Sequence, residues 1–72
     1  MRANIHLLDV VALTEDLPER GLSRGQVGTV VEELVPDAVE VEFSDNEGRT
    51  YATLALLADP LMVLRYEPIL AA

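Results

Sequence analysis

The segment AVEVEF, residues 38–43, alternates apolar and acidic side chains. Because successive side chains of a β-strand point to opposite faces, this spacing places Val39, Val41 and Phe43 on one face and Glu40 and Glu42 on the other. The loop SDNEGR, residues 44–49, is rich in residues that tolerate positive φ, and TYATLAL, residues 50–56, reads as a returning strand. The sequence therefore predicts an antiparallel hairpin with one apolar and one acidic face.

Three further segments extend the predicted sheet. Residues 9–13 (DVVAL) are rich in β-branched side chains, and residues 25–28 open a second such strand that continues over residues 29–35. Pro36 and Asp37 predict a turn. Residues 57–60 (LADP) predict a single helical turn that ends at the proline, and a last short strand follows over residues 61–65.

The connection between the first two strands is long and polar, over residues 14–24. Leu17 and Leu22 interrupt it, and we expect them to pin it to the core. Before the first strand, residues 5–9 form a short lead-in, with Leu8 expected to pack inward. Five short strands with one long first loop predict an all-β fold, a small antiparallel barrel. Closing the sheet into a barrel removes the exposed edges at which a small open sheet could pair with other strands. One domain is expected over residues 1–72, with a core of about 8–66 and a tail of 67–72.

Composition excludes several classes of protein. The 72 residues hold thirteen acids and five arginines, a net charge of −8, whereas nucleic-acid backbones and anionic membranes attract clustered cations. The chain has no cysteine, which rules out disulfides and thiolate metal sites. Half of the residues are apolar, which is unlike disordered acidic chains, and no apolar run could span a bilayer. The N-terminus lacks a signal-peptide pattern, so a cytoplasmic location is expected.

Three groups of residues resemble ligand-binding motifs but lack the neighbouring sequence that phosphate, calcium or transition-metal binding requires. Gly21, Gly25 and Gly28 precede a β-rich run rather than a helix, so they are interpreted as structural glycines and not as a phosphate-binding loop. The oxygen-rich residues 45–48 lack the distant glutamate of a calcium loop. His6 is the only histidine and has no second His or Cys nearby in the sequence. No metal or other cofactor is predicted.

The first loop also carries the acids that most resemble a catalytic pair. Glu15, Asp16 and Glu19 lie close to Arg20 and Arg24, but acid–base catalysis needs a cleft that desolvates one carboxylate. A 72-residue barrel filled by its own side chains offers no deep cleft, so no enzymatic activity is expected.

Four segments together resemble a known family. They are DVVALTEDLP at residues 9–18, GLSRGQVGTVV at 21–31, VEVEF at 39–43 and GRT at 48–50. In combination they resemble the small bacterial domain-of-unknown-function family 4926 (DUF4926), from about residue 9 to residue 64. The resemblance implies an SH3-like barrel and implies no established activity. With no Trp and only three aromatic residues, the chain lacks the usual polyproline groove of SH3 domains.

The expected function is that of a small acidic accessory module that binds another protein. The expected partner is basic, and the module would regulate it as an antitoxin or an enzyme inhibitor does. The outward strand residues Glu32, Glu33, Glu40 and Glu42 either keep the protein soluble or dock a basic partner. By analogy with SH3-like barrels, the loops supply further contacts. The candidate contact residues are Glu15, Asp16, Glu19, Glu40, Glu42, Asp45, Asn46 and Glu47. A structural subunit of a larger enzyme, or a self-associating homo-oligomer, stays open as an alternative.

Overall fold

The computed structural model describes residues 4–34 and 37–68 and shows five antiparallel strands in one sheet. The strands are β1 (Val10–Leu13), β2 (Val27–Glu33), β3 (Ala38–Ser44), β4 (Thr50–Leu57) and β5 (Leu61–Val63). Their order across the sheet is β4-β3-β2-β1-β5. This arrangement confirms the predicted all-β class, the number of strands and their antiparallel pairing.

Helical structure within the described residues is limited to one 3-10 turn, Pro18–Arg20, which lies in the first loop. A helical turn was predicted before the last strand, and there the prediction needs correction. β4 continues through Leu57, and residues 58–60 form a simple turn closed by the Leu61 N–H donating to the Ala58 carbonyl at 2.9 Å. The Ala- and Leu-rich segment is extended because Leu54 and Leu56 lie opposite Val41 and Val39, where strand packing outweighs helix propensity.

The core is built mainly from alternating positions of the strands, and in β1 the three consecutive residues 11–13 are all buried. Val39, Val41 and Phe43 are buried, as the period of two predicts, and the last two are completely inaccessible to solvent. One row of paired residues crosses all five strands: Val63, Val11, Gly28, Phe43 and Ala52. Leu22 is buried in the same core and Leu17 packs against it, so the predicted pinning of the first loop is confirmed.

Gly28 occupies the middle of that row because a larger residue would not fit. A Cβ built at this position would come within 2.6 Å of Val41 Cγ1 and within 2.9 Å of the Glu42 carbonyl oxygen. The missing side chain therefore lets β3 bring Phe43 and Val41 close against β2. Gly28 is a packing glycine inside a strand, which sharpens its interpretation as structural.

The short connection between the two edge strands shows that the sheet is curled. A flat sheet of five strands would hold its edges about 19 Å apart, at about 4.8 Å per spacing. Leu57 ends β4 and Leu61 begins β5, and the four Cα steps between them span at most about 15 Å. The edges must therefore approach each other. β4 and β5 remain the two edges of the strand order, and complete closure into an SH3-like barrel stays a prediction.

The lead-in differs from the expectation at Leu8. Leu8 is 69% exposed, and its backbone has a φ of 71°, a conformation that residues other than glycine rarely adopt. The Leu8 N–H donates to the Val30 carbonyl at 2.7 Å, which fixes the lead-in on β2. Ile5, rather than Leu8, packs against the core.

Two predicted segments extend beyond the described residues. The predicted turn at Pro36 and Asp37 lies partly outside the described residues, as do residues 69–72 of the predicted tail. Within residues 4–34 and 37–68, the structure has no helix of the length and apolar character that crossing a membrane demands.

Candidate functional site

The two loops predicted to make contacts lie at the same end of the sheet. The end of β1 pairs with the start of β2, and the end of β3 lies beside that same start through the Gly28–Phe43 pair. The first loop and the β3–β4 hairpin loop are therefore neighbours. A hydrogen bond of 3.1 Å from Gln26 Nε2 to the Tyr51 hydroxyl joins the segment that enters β2 to the segment that leaves the hairpin.

The hairpin loop uses its acids for its own structure. Asp45 Oδ1 accepts hydrogen bonds from the backbone N–H groups of Glu47 and Arg49, both at 2.9 Å. The Arg49 guanidinium also pairs with Asp45 Oδ2 at 3.3 Å and with Glu47 Oε1 at 2.5 Å. Two carboxylates thus share one arginine, and the loop carries a net charge of −1.

Hydrogen bonding also perturbs the acidity of this loop. The pKa of Asp45 is held below its ordinary value, because hydrogen bonds from two backbone N–H groups favour the charged carboxylate. The bond from the Arg49 backbone has the larger effect and the bond from the Glu47 backbone the smaller. Asp45 is therefore a structural acid that closes the hairpin. Asn46 lies exposed in the same loop.

The first loop divides its acids between structure and solvent. Asp16 Oδ1 accepts a hydrogen bond of 2.8 Å from the backbone N–H of Arg24 and so holds the two sides of the loop together. Glu15 and Glu19 are exposed, and their carboxylates form no hydrogen bond or ion pair with the rest of the described chain. Of the three acids predicted here, two are available to a partner.

The outward face of β2 and β3 brings three glutamates together. Glu32 lies directly opposite Glu40, and Glu42 follows two positions along β3 on the same face. We call Glu32, Glu40 and Glu42 the acidic strip. None of the three carboxylates has a hydrogen bond or ion pair within the described residues. Uncompensated like charges on neighbouring strands are unfavourable by up to about 1 kcal/mol per pair.

A β-bulge decides which residue of β2 joins the strip. The register shifts between Val30 and Glu32, so Val31 is the extra residue and Glu32 takes the place opposite Glu40. Glu33 lies instead opposite Val39, and its Oε2 accepts a hydrogen bond of 2.9 Å from the Leu7 N–H. Strict alternation misses this arrangement. The consecutive pairs Val30-Val31 and Glu32-Glu33, which break the period of two, are the signal in the sequence that could have revealed it.

Small side chains surround the acidic strip. Thr53 lies opposite Glu42 on β4, Ala55 lies opposite Glu40, and Thr29 lies opposite Glu42 on β2. Because these neighbouring side chains are short, they do not project beyond the glutamate side chains on this face of the sheet. The face is therefore shallow, negatively charged and open to a long cationic side chain.

Other features of the surface offer less chemistry. An open depression of ≈ 330 Å³ is lined by the consecutive residues 64–68, so it is a bend of one segment and not a cleft between elements. In the described ranges, no three His, Asp or Glu side chains converge in a way that could hold a metal ion. His6 lies exposed in the lead-in, where its backbone N–H donates to Asp9 Oδ2 at 2.8 Å.

Comparison with known proteins identifies a family for this chain. Neither the curated proteins nor the solved structures include a chain that matches this one. Residues 7–63 match a protein family described as "Domain of unknown function (DUF4926)". That range covers β1 to β5 with both contact loops, the bulge of β2 and the acidic strip. The chain therefore belongs to the DUF4926 family.

Proposed function

We propose that this chain is a non-catalytic, cytoplasmic protein-binding module whose acidic strip docks a basic partner protein. The observation that carries the proposal is the pairing of Glu32 with Glu40 across β2 and β3. A basic side chain placed between two carboxylates would turn their mutual repulsion into attraction. Such complementarity raises the association rate and selects cationic partners.

The state of the other acids favours the strip over the hairpin loop as the centre of the contact. Asp45 and Glu47 already share Arg49, so a partner would have to displace that guanidinium. Glu40 and Glu42 are half-buried on a rigid strand, and their positions are fixed by pairing on both sides. Because the backbone of these residues is held in the sheet, binding would order only their side chains, which costs less entropy than ordering a loop as well.

The exposed acids of the first loop lie outside the acidic strip. Glu15 and Glu19 would add only long-range attraction, at one end of the sheet. The non-catalytic part of the proposal is supported by a core that is filled with the chain's own side chains, such as the fully buried Phe43 and Leu13. A partner would therefore meet the open face that carries the acidic strip.

Titration with a hexa-arginine peptide by calorimetry tests this proposal. We expect the affinity to fall as sodium chloride is raised, since the contact is electrostatic. A triple variant of the strip, Glu32→Gln with Glu40→Gln and Glu42→Gln, should bind at least about tenfold more weakly than the wild type.

A second triple variant provides the matched control. Glu15→Gln with Glu19→Gln and Glu67→Gln removes the same net charge from exposed positions outside the strip. It should retain most of the affinity. Equal losses in the two triple variants, or an affinity that ignores salt, would show that the strip is not a docking site.

A further inference from the structure

β4 is an edge strand with an unusual lack of protection. It is the longest strand, at eight residues, and its sequence TYATLALL holds no charged residue and no proline. Edge strands usually carry charges, prolines or bulges, or are very short, because a bare edge pairs readily with other strands. β5, at the other edge, has only three residues. The bulge of β4 lies at its start, near Tyr51, and leaves residues 52–57 regular.

The register shows which backbone groups of β4 point to the free edge. The Ala58 N–H donates to the Asp37 carbonyl at 3.2 Å, in continuation of the Ala38–Leu57 pairing. Hydrogen-bonded pairs alternate along an antiparallel ladder, so Leu54 and Leu56 direct their backbone groups toward β3. The N–H and C=O groups of Thr53, Ala55 and Leu57 then point away from the sheet. Within the described residues, no loop or turn supplies a hydrogen bond to them.

We propose that β4 pairs antiparallel with β4 of a second copy of this chain, about a two-fold axis. Such an interface is self-complementary, because each strand offers the same outward donors and acceptors to the other. The proposal uses the sheet edge, so it is independent of the acidic strip as a docking site. It would also cover part of Leu57, whose side chain is 61% exposed.

Charge explains why a second copy fits this edge. In a chain with a net charge of −8, β4 is uncharged, so self-pairing puts no like charges opposite each other. The glutamates of β3 in the two copies would stand three strand spacings apart, about 14 Å. That separation exceeds the Debye length of about 8 Å at physiological salt. A basic peptide, in contrast, would find no charge on β4 to select it.

Sedimentation of the full chain over a range of concentrations tests the pairing. We expect a monomer–dimer equilibrium that shifts toward dimer at higher salt, because salt screens the repulsion between two negatively charged copies. The docking of a basic partner responds to salt in the opposite sense, so the two proposals can fail separately. A monomer throughout the micromolar range would overturn the pairing.

A proline variant tests which edge is used. Ala55→Pro removes an N–H that faces the free edge and leaves the ladder to β3 intact, a position where edge strands accept proline. It should weaken dimerisation by at least about tenfold, whereas the control Ala55→Thr keeps the donor and should dimerise like the wild type. A dimer that is indifferent to Ala55→Pro would place the interface elsewhere and contradict the proposal.

Amide hydrogen exchange gives a readout that does not depend on the variant. Exchange at Thr53, Ala55 and Leu57 should slow as the protein concentration rises, while Leu54 and Leu56 stay protected at every concentration. Fast exchange at the first three amides at all concentrations would contradict the pairing. Protection that is independent of concentration would also contradict it, because the edge would then be covered by another segment of the same chain.

Discussion

Glu32 of β2 lies directly opposite Glu40 of β3, and no cation of the described chain pairs with either carboxylate. This like-charge pair exists because the bulge at Val31 advances Glu32 by one position relative to β3. In the isolated protein the pair is unfavourable. The same pair is the feature that a basic partner would relieve.

Removing one charge of this pair should stabilise the free protein. Glu32→Gln is expected to raise the free energy of unfolding by up to about 1 kcal/mol at low salt, and by less at high salt, where the repulsion is screened. Urea unfolding at two salt concentrations measures both effects. Glu15→Gln removes the same charge from a loop and should change stability much less. If the two variants were equally stabilised, the gain would come from net charge and not from the pair.

Gly28→Ala tests the close approach of β2 and β3. The added methyl would meet Val41 Cγ1 at 2.6 Å and the backbone oxygen of Glu42 at 2.9 Å, and backbone does not yield as a flexible side chain does. We expect a loss of about 1–3 kcal/mol in the free energy of unfolding, as for other overpacked cores. The neighbouring Thr29→Ala, on the outward face, should lose less than about 1 kcal/mol. Similar losses at both positions would speak against tight packing at Gly28.

Phe43→Leu probes the centre of the core. Phe43 is completely buried, and its ring lies 6.5 Å from that of Tyr51, between centroids, with a tilt of 40°. The smaller side chain leaves a cavity and ends the ring contact, so we expect a loss of about 1–3 kcal/mol. Thermal unfolding followed by circular dichroism measures it. A melting temperature equal to that of the wild type would show that Phe43 does not organise the core.

The lowered pKa of Asp45 predicts how stability depends on pH. A carboxyl whose pKa is lower in the folded than in the unfolded state contributes stability above the unfolded pKa, and this contribution is lost as the pH falls through the folded pKa. Asp45→Asn should therefore be less stable than the wild type at neutral pH, and the difference should vanish in strong acid. Unfolding curves over a pH series, with the NMR titration of the Asp45 carboxyl, check this. A difference that is constant with pH would mean that the charge contributes nothing.

The sequence predicted most of the sheet because its local signals agree with the global packing. The alternation of residues 38–43 gave the inward and outward faces of β3 correctly, since both of its neighbours are strands that bury one face. Leu17 and Leu22 were correctly expected to anchor the first loop. The family was also predicted from the residues alone, and its match over residues 7–63 confirms it.

Other features depend on contacts that no local pattern encodes. The extended conformation of residues 54–57 comes from Val39 and Val41 across the sheet, which overrides the helical preference of Ala and Leu. Leu8 turns outward at a backbone position of positive φ, where its backbone N–H donates to the Val30 carbonyl. The partners of Asp16 and Asp45 likewise appear only when the loops are folded, so the sequence could not separate structural acids from available ones.

The central claim is that the acidic strip, and not the negative charge as a whole, receives a basic partner. NMR chemical-shift mapping of the ¹⁵N-labelled full chain with hexa-arginine tests it most directly. We predict the largest shifts at Glu32, Glu40 and Glu42 and at their neighbours Thr53 and Ala55, with small shifts in the hairpin loop, where Arg49 already pairs with Asp45 and Glu47. Shifts spread evenly over all exposed acids, or centred on the hairpin loop, would contradict the account.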